Sequence, residues 1–215
     1  SLAASRVNGV LIPPGQDFSF NKAIGDVSKY TGYKEAYVIQ AGKTVLGDGG
    51  GVCQVSTTLF RAVLNAGLPI TERHGHAYRV GYYEQQSKPG LDATIYVPSV
   101  DFKFKNDTDK HILVQSYFNP EEASLTFTLY GKKDNRTVTL TDPIITSQTP
   151  PPEPITQDDP TLQKDTIKQV EYAAAGAVVN FKRTVQKDGK TIIDETFTTH
   201  YRPWGAVFLK GTKEG

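Results

Sequence analysis

The sequence predicts an α+β fold, in which a helix that carries the cysteine packs on an antiparallel β-sheet, followed by a small, elongated all-β C-terminal domain. Two observations support this fold class. Apolar residues recur at helical spacing after a run of glycines, which predicts a helix over residues 53–66 that stops before Gly67. Beyond this helix, β-branched and aromatic segments alternate with turn residues, as in an antiparallel sheet covered by one helix.

Short strands are expected before the helix and longer ones after it. Turn signals and short apolar segments fill the first 48 residues, with strands predicted at 18–20 and 37–39. After the helix, turn residues separate five predicted strands, at 76–83, 93–97, 101–105, 112–118 and 125–130. The first of these strands would bring a histidine close to the helix.

A proline-rich stretch divides the chain. Residues 146–160 contain five prolines among polar neighbours, a composition typical of an extended connector. We therefore predict a domain over residues 1–145, a linker over 146–160 and a β-rich domain over 161–215. In the last domain, two alternating segments around Asp188-Gly189 predict a hairpin.

Composition narrows the classes of function. The net charge is +1, which gives no argument for a nucleic-acid partner or for binding to a membrane surface. One cysteine and four scattered histidines show no metal-ligand spacing, so neither a metal nor a cofactor is expected. No apolar run reaches the roughly 18 residues of a transmembrane helix. The chain starts at Ser1 and has no Met, so it reads as part of a longer protein whose removed N-terminal segment could anchor it to a membrane.

The most informative motif is Gly49-Gly50-Gly51-Val52-Cys53-Gln54, which contains the only cysteine. A thiol at the start of a helix is favoured as a thiolate because the helix N-terminus stabilises the anion. Glycines in front of it let a substrate backbone approach closely. Cys53 is therefore a candidate nucleophile, with a small buried hydrophobic residue as the alternative interpretation.

A general base is expected in Glu72-Arg73-His74-Gly75-His76. His74 and His76 are two residues apart, so both would face the same side of a strand. Asp92 is the candidate for the third member, which orients the imidazole, because it lies at a predicted strand start opposite the histidines. A turn or cap role is its alternative, and Asp101 is the second candidate for the third member.

Other residues are candidates for substrate binding or for an oxyanion site. These are Gly50, Gly51, Gln54, Ser56, Arg73 and Tyr83. Arg73 suits the bidentate binding of a carboxylate, although a salt bridge to Glu72 or another acid is the alternative and is slightly favoured. Ser56 lies on nearly the same helix face as Cys53, and Tyr83 could line a groove for sugar or peptide.

Taken together, these motifs resemble the VanW domain over about residues 2–132. The resemblance rests on Phe18-Ser19-Phe20-Asn21, Gly32-Tyr33, Gly49-Gly50-Gly51-Val52-Cys53-Gln54-Val55-Ser56, Glu72-Arg73 with His76, Gly90-Leu91-Asp92-Ala93-Thr94, and Asp101 with Phe104-Lys105-Asn106. It favours His76 as the base. The tail resembles a G5 domain at Gly176, Gly189 and Gly211-Thr212, without the additional glycine that the G5 pattern often has near 173–175.

The resemblance implies a protein of the Gram-positive cell surface, of a family found with glycopeptide-resistance clusters. It implies cysteine-dependent L,D-transpeptidation of peptidoglycan, in which Cys53 forms an acyl-enzyme with a stem tetrapeptide and a 3→3 cross-link results. The G5 resemblance implies N-acetylglucosamine-containing glycans, so stem peptides and glycan strands are the expected partners. Two alternatives stay open: a peptidoglycan cysteine amidase or endopeptidase, and a non-catalytic module that binds wall glycans.

Overall fold

The computed structural model describes residues 2–40, 43–85 and 87–214, and strands make up most of its regular structure. The helices are α1 (Leu2–Val7), α2 (Phe20–Ile24) and α3 (Val52–Ala66). Two single-turn 3₁₀ helices lie at Lys29–Thr31 and Gly81–Tyr83. Among the described helices, none has both the length and the apolarity needed to cross a bilayer.

The first eight strands belong to the N-terminal region. They are β1 (Val10–Ile12), β2 (Asp17–Ser19), β3 (Glu35–Gln40), β4 (Lys43–Asp48), β5 (Ile70–Glu72), β6 (Lys103–Lys105), β7 (Ile112–Asn119) and β8 (Ser124–Tyr130). They form two antiparallel three-stranded sheets, with the strand orders β1-β7-β8 and β2-β6-β5. The strands β3 and β4 form a separate antiparallel hairpin. The helix α3 packs beside β8.

Seven strands form the C-terminal region. They are β9 (Arg136–Leu140), β10 (Ile144–Thr149), β11 (Ile155–Gln163), β12 (Ile167–Glu171), β13 (Gly176–Lys187), β14 (Lys190–Tyr201) and β15 (Val207–Lys213). The predicted hairpin consists of β13 and β14. On the side away from β14, β10 pairs with the first half of β13 and β9 pairs with its second half. A second sheet has the order β11-β15-β12, with β11 and β15 parallel. The fold is thus α+β with a small all-β C-terminal region, as the sequence predicts.

The helix α3 positions the candidate nucleophile. Its apolar residues recur at helical spacing and bury one face, led by Val55, Leu59 and Val63. Left-handed glycines flank it, with Gly51 at φ +81° as the N-cap and Gly67 at φ +69° as the C-cap. No Cβ opposes these angles in glycine, so the chain can turn sharply into and out of the helix.

The prediction of a strand over residues 76–83 is wrong, because this segment is not paired with any strand in the described structure. The amide of His76 donates to the carboxylate of Asp92 instead of to a neighbouring strand, at 2.7 Å. The segment then closes into a 3₁₀ turn held by the ion pair between Arg79 and Glu84. The strand predicted over 93–97 is likewise reduced to isolated bridges, at Thr94 and Tyr96.

Most of the predicted linker, residues 146–160, lies in paired strands. Its first part belongs to β10, which pairs with β13, and its last part belongs to β11, which pairs with β15. The prolines from 150 to 154 fall between these two strands, where no ladder hydrogen bond is required of them. The domain boundaries themselves remain a prediction.

One hydrophobic core joins the two regions. The rings of Phe60 on α3 and Phe197 on β14 lie 6.1 Å apart, and Phe197 stacks on Phe181 of β13 at 4.7 Å. Phe181 belongs to the same buried cluster as the α3 residues. The sheet of β13 and β14 therefore covers part of α3, and this packing brings C-terminal side chains close to the candidate site.

Candidate active site

Cys53 is the second residue of α3 and is partly buried. Its Sγ lies 3.6 Å from Thr94 Oγ1 and 3.6 Å from the carbonyl oxygen of Ile95. The thiol thus stands in the first turn of a helix, where the amides of the helix point toward it and favour its anion.

His76 lies between Cys53 and Asp92. Its Nδ1 is 2.6 Å from Asp92 Oδ2, and its side chain is 15% exposed. Because Nδ1 is taken by the carboxylate, Nε2 is the ring nitrogen left for the thiol of Cys53, and the two groups are close enough that each shifts the pKa of the other. The structure therefore brings together the three residues that the sequence suggested as nucleophile, base and orienting acid.

The Asp92 carboxylate is buried, with its side chain 4% exposed, and both of its oxygens are occupied. Oδ2 accepts from the amide and the ring of His76, whereas Oδ1 accepts from Tyr201 at 2.5 Å and from Arg73 Nη2 at 3.2 Å. Four donors on one carboxylate fix both its charge and its orientation.

The charges of this cluster shift one another's titration. Burial raises the pKa of the Asp92 carboxyl, but hydrogen bonding to His76 and the charge of Arg73 outweigh burial and lower that pKa to about 2. Burial lowers the pKa of His76, but Asp92 and Cys53 outweigh it and raise that pKa to about 9. Burial raises the pKa of the Cys53 thiol. His76, together with Ile95 and Thr94, outweighs burial, so that this pKa lies below its ordinary value. Both shifts move the pair toward an imidazolium and a thiolate.

A cavity of about 630 Å³ lies along α3, and residues on both sides of Cys53 in the sequence line it, although Cys53 itself does not. Four of the predicted substrate-binding or oxyanion residues line it: Gly50, Gly51, Gln54 and Tyr83. The ring of Tyr83 also packs on His76, with ring centroids 4.6 Å apart, and burial raises the pKa of its phenol. The cavity continues past Arg61 to the tip of the β7-β8 hairpin.

Two of the predicted substrate-binding residues are placed elsewhere. Ser56 is completely buried within α3, and its hydroxyl has no hydrogen-bond partner in the part of the chain that is described. The guanidinium of Arg73 is buried and binds the carbonyls of Gly90 and Asp92, the carboxylate of Asp92 and the hydroxyl of Thr199. Arg73 thus supports Asp92, in line with the ion-pair alternative.

The alternative base and the alternative acid also lie apart from the thiol. His74 is exposed and its ring contacts Glu72. Asp101 accepts from the hydroxyl of Ser19 and from the amides of Asn21 and Phe102, so it fastens the start of α2. Within the described ranges, no group of three or more His, Cys, Asp or Glu side chains is arranged to hold a metal ion.

Sequence reasoning missed Thr94 and Ile95, which contact the thiol, and Thr199 and Tyr201, which support the Asp92 side. The Gly90–Thr94 motif contains Thr94 and ends one residue before Ile95, so it could have suggested both. The second pair lies on β14, more than 100 residues along the chain from Asp92, and no local pattern marks it.

Comparisons with known proteins agree with the N-terminal assignment. Residues 1–130 match the family model described as VanW like protein. The chain is 39% identical over 131 residues to the uncharacterized protein YoaR of Bacillus subtilis (strain 168), which covers 61% of this chain and 41% of YoaR. It is 41% identical over 110 residues to the vancomycin B-type resistance protein VanW of Enterococcus faecalis (strain ATCC 700802 / V583), covering 50% of this chain and 40% of that protein. The chain spans about two fifths of the length of these curated relatives.

The C-terminal region is similar to solved G5 domains. The G5 domain of IgA1 protease is 20% identical, with 39% of this chain and 100% of that chain covered and a TM-score of 0.22. The G5 structure of HP0197 is 19% identical, with 35% and 97% covered and a TM-score of 0.17. The family model spans more than half of the chain and includes Cys53, His76 and Asp92. The chain therefore belongs to the family of VanW-like proteins.

Proposed function

We propose that this chain is a peptidoglycan L,D-transpeptidase that acts through a Cys53 acyl-enzyme at the cell wall of a Gram-positive bacterium. The observation that carries the proposal is the arrangement of Cys53, at the start of α3, with a His76 that is bound to Asp92 and shifts the pKa of the thiol. Family membership adds to it, since one relative is named a vancomycin B-type resistance protein and both come from Gram-positive bacteria. Stem peptides and glycan strands are the partners that this function requires.

The first half-reaction uses the ion pair. The Cys53 thiolate attacks the carbonyl carbon of the third residue of a stem tetrapeptide, forming a C–S bond and a tetrahedral oxyanion. The amide of Cys53 and that of Gln54 or a glycine are the proposed donors to this oxyanion, and one such donor is worth about 3 kcal/mol. The C–N bond to the terminal D-alanine then breaks, and the His76 imidazolium gives its proton to the leaving amine.

The second half-reaction reverses these roles. The side-chain amine of a neighbouring stem attacks the thioester, and neutral His76 accepts the proton that this amine loses. A new C–N bond forms, the C–S bond breaks, and the imidazolium–thiolate pair is restored. Attack by water instead of the amine would give a carboxypeptidase product, so the acceptor decides between transfer and hydrolysis.

The test is incubation of the chain with a purified disaccharide-tetrapeptide, followed by mass spectrometry of products and protein. We expect loss of D-alanine, a protein-bound acyl adduct and a cross-linked dimer, all absent from Cys53→Ala. Ser56→Ala is a matched control, because this small polar residue of the same helix is buried and should leave the products unchanged. Loss of D-alanine without a dimer would favour hydrolysis over transfer, and cleavage at another bond would favour the amidase or endopeptidase. Absence of both adduct and product, with a thiol inert to alkylation, would favour the glycan-binding module.

A further inference from the structure

Tyr201 connects the C-terminal region to the candidate site. It is the last residue of β14, is 7% exposed, and lies outside the residues that match the family model. Its phenol O–H donates to Asp92 Oδ1 at 2.5 Å, and its oxygen accepts from the amide of Gly90 at 2.8 Å. One hydroxyl thus holds both the carboxylate and the backbone two residues before it.

The Tyr201 hydroxyl affects the orientation of the Asp92 carboxylate relative to His76. Both contacts from His76 are made to Oδ2, so Oδ1 sets the rotation of the carboxylate. The other donor to Oδ1, Arg73 Nη2, is at 3.2 Å and is shared with the carbonyl of Gly90. The phenol is therefore the shorter of the two contacts that fix Oδ1.

The same strand supports the site at a second point. Thr199 and Tyr201 are two residues apart and so face the same side of β14. Thr199 Oγ1 accepts from Arg73 Nη1 at 2.8 Å, and the amide of Arg202 donates to the carbonyl of Ala77 at 2.7 Å. The end of β14 and the residue after it are thus bound to Arg73 and Ala77, which lie on either side of His76 in the sequence.

We propose that Tyr201 is a positioning residue, which holds the Asp92 carboxylate against His76 so that β14 of the C-terminal region completes the site of the VanW-like domain. The inference rests on the proposed function only in that the site is taken to use an imidazolium–thiolate pair. It means that the C-terminal region affects the reactivity of the Cys53 thiol, in addition to any role in binding.

Removing the phenol hydroxyl should weaken the pair between His76 and Cys53. Without it, Oδ1 keeps only the 3.2 Å contact to Arg73, and the carboxylate is free to turn away from the ring. A less well held imidazolium stabilises the thiolate less, so the thiol would titrate at a higher pH. The titratable and charged groups around Asp92 and the thiol are Arg61, Arg73, His76, Tyr82, Tyr83 and Tyr201.

The experiment measures the rate of Cys53 alkylation by iodoacetamide as a function of pH, for the whole chain and for Tyr201→Phe. This readout reports the thiolate directly and needs no peptidoglycan substrate. We expect the rate at pH 7 to fall about tenfold and the midpoint to move toward the value of a free thiol, about pH 8.5. Thr199→Val is the matched comparison, because it removes a buried contact of β14 to Arg73 and none to a carboxylate oxygen; its midpoint should move much less than that of Tyr201→Phe.

A second comparison separates positioning from general stability. If Tyr201 acts through Asp92, then Tyr201→Phe in an Asp92→Asn background should cause no further shift of the midpoint. Thermal melts of each variant confirm that it is folded at the assay temperature. An unchanged midpoint in Tyr201→Phe, or a shift to lower pH, would overturn the positioning role while leaving the proposed function intact. A wild-type thiol that reacts no faster at pH 7 than a free thiol would count against the proposed function itself.

Discussion

The two ends of α3 are built from similar parts and do different things. At the N-terminal end, Gly51 caps the helix without a side-chain hydrogen bond, Cys53 lies in the first turn, and Gly51 and Gln54 line the cavity. At the C-terminal end, Gly67 is the cap, and the guanidinium groups of Arg136 and Arg183 bind the backbone carbonyls. One end is left accessible, whereas the other is enclosed by the C-terminal sheet.

The enclosed end is a stabilising arrangement. Arg136 Nη1 donates to the carbonyl of Gly67 at 2.8 Å, and Arg183 Nη2 donates to that of Leu68 at 3.0 Å. Cations at a helix C-terminus interact favourably with the helix dipole and satisfy carbonyls that have no partner within the helix. Arg136 is paired with Asp134, and Arg183 with Glu195.

The difference lies in which groups titrate near neutrality. Burial raises the pKa of Asp92, but the hydrogen bond to His76 and the charge of Arg73 outweigh it and lower that pKa to about 2. The hydrogen bond from Arg136 lowers the pKa of Asp134, also to about 2. A carboxylate with a strongly lowered pKa therefore marks a buried ion pair as readily as an active site. Only at the N-terminal end does such a carboxylate face an imidazole and a thiol, whose charges can change during a reaction.

The largest effect should come from Asp92→Asn. A neutral amide cannot stabilise the imidazolium, so acyl transfer should fall about a thousandfold. The wild-type rate should be bell-shaped in pH, because the thiolate is lost as pH falls and the imidazolium proton is lost as pH rises through about 9. In Asp92→Asn, the pKa of His76 should return toward its ordinary value, about 6.5, so the basic limb should move to lower pH.

Asp101→Asn is the control for this prediction. Asp101 is as buried as Asp92, but it binds Ser19 and the start of α2 instead of a histidine. We expect Asp101→Asn to lower the melting temperature and to keep both limbs of the pH profile. A basic limb near pH 9 that persists in Asp92→Asn would contradict the assigned role of Asp92.

At the opposite end of α3, Arg183→Met should lower stability without changing the thiol. Arg183 is completely buried, and its loss strands the carbonyl of Leu68 and the carboxylate of Glu195. We expect the free energy of unfolding to fall by about 3 kcal/mol, measured by urea denaturation. The pH profile of Cys53 alkylation should stay as in the wild type.

The neighbouring residue supplies the control. Lys182 lies on the other face of β13 and pairs with Asp194, with both side chains about half exposed. Lys182→Met should change the free energy of unfolding by about 0.5 kcal/mol or less, because exposed pairs contribute little. Equal losses in the two variants would mean that Arg183 does not anchor α3.

The local sequence pattern is sufficient to predict the helix that carries Cys53, but it does not predict the tertiary contacts of the site. Periodicity and flanking glycines predict the segment of α3, and the glycine run draws attention to Cys53. The contact of His76 with Asp92 depends on tertiary folding, because the strand that β-propensity predicts over 76–83 gives way to a hydrogen bond between an amide and a carboxylate. Tyr201 reaches Asp92 only because the β13-β14 hairpin packs on α3, which no sequence window contains.

The smallest effects concern the two glycines that cap α3. At Gly67, an added Cβ would lie 2.7 Å from Val138 Cγ2 and 3.1 Å from Val185 Cγ1, so Gly67→Ala combines left-handed strain with overpacking. We expect it to lower the free energy of unfolding by about 2 kcal/mol. At Gly51, the nearest contact of such a Cβ is Gln54 Oε1 at 3.5 Å, so Gly51→Ala should cost about 1 kcal/mol, from backbone strain alone.

Both alanine variants should be compared by urea denaturation and by Cys53 alkylation. Because Gly51 adjoins the thiol and lines the cavity, its variant should slow alkylation as well as lower stability, whereas Gly67→Ala should leave the alkylation rate of the folded protein unchanged. A Gly67→Ala variant that slows alkylation would mean that the two ends of α3 are mechanically coupled. The C-terminal sheet would then affect the thiol through the helix as well as through Tyr201, and the separation of a reactive end from a stabilising end would not hold.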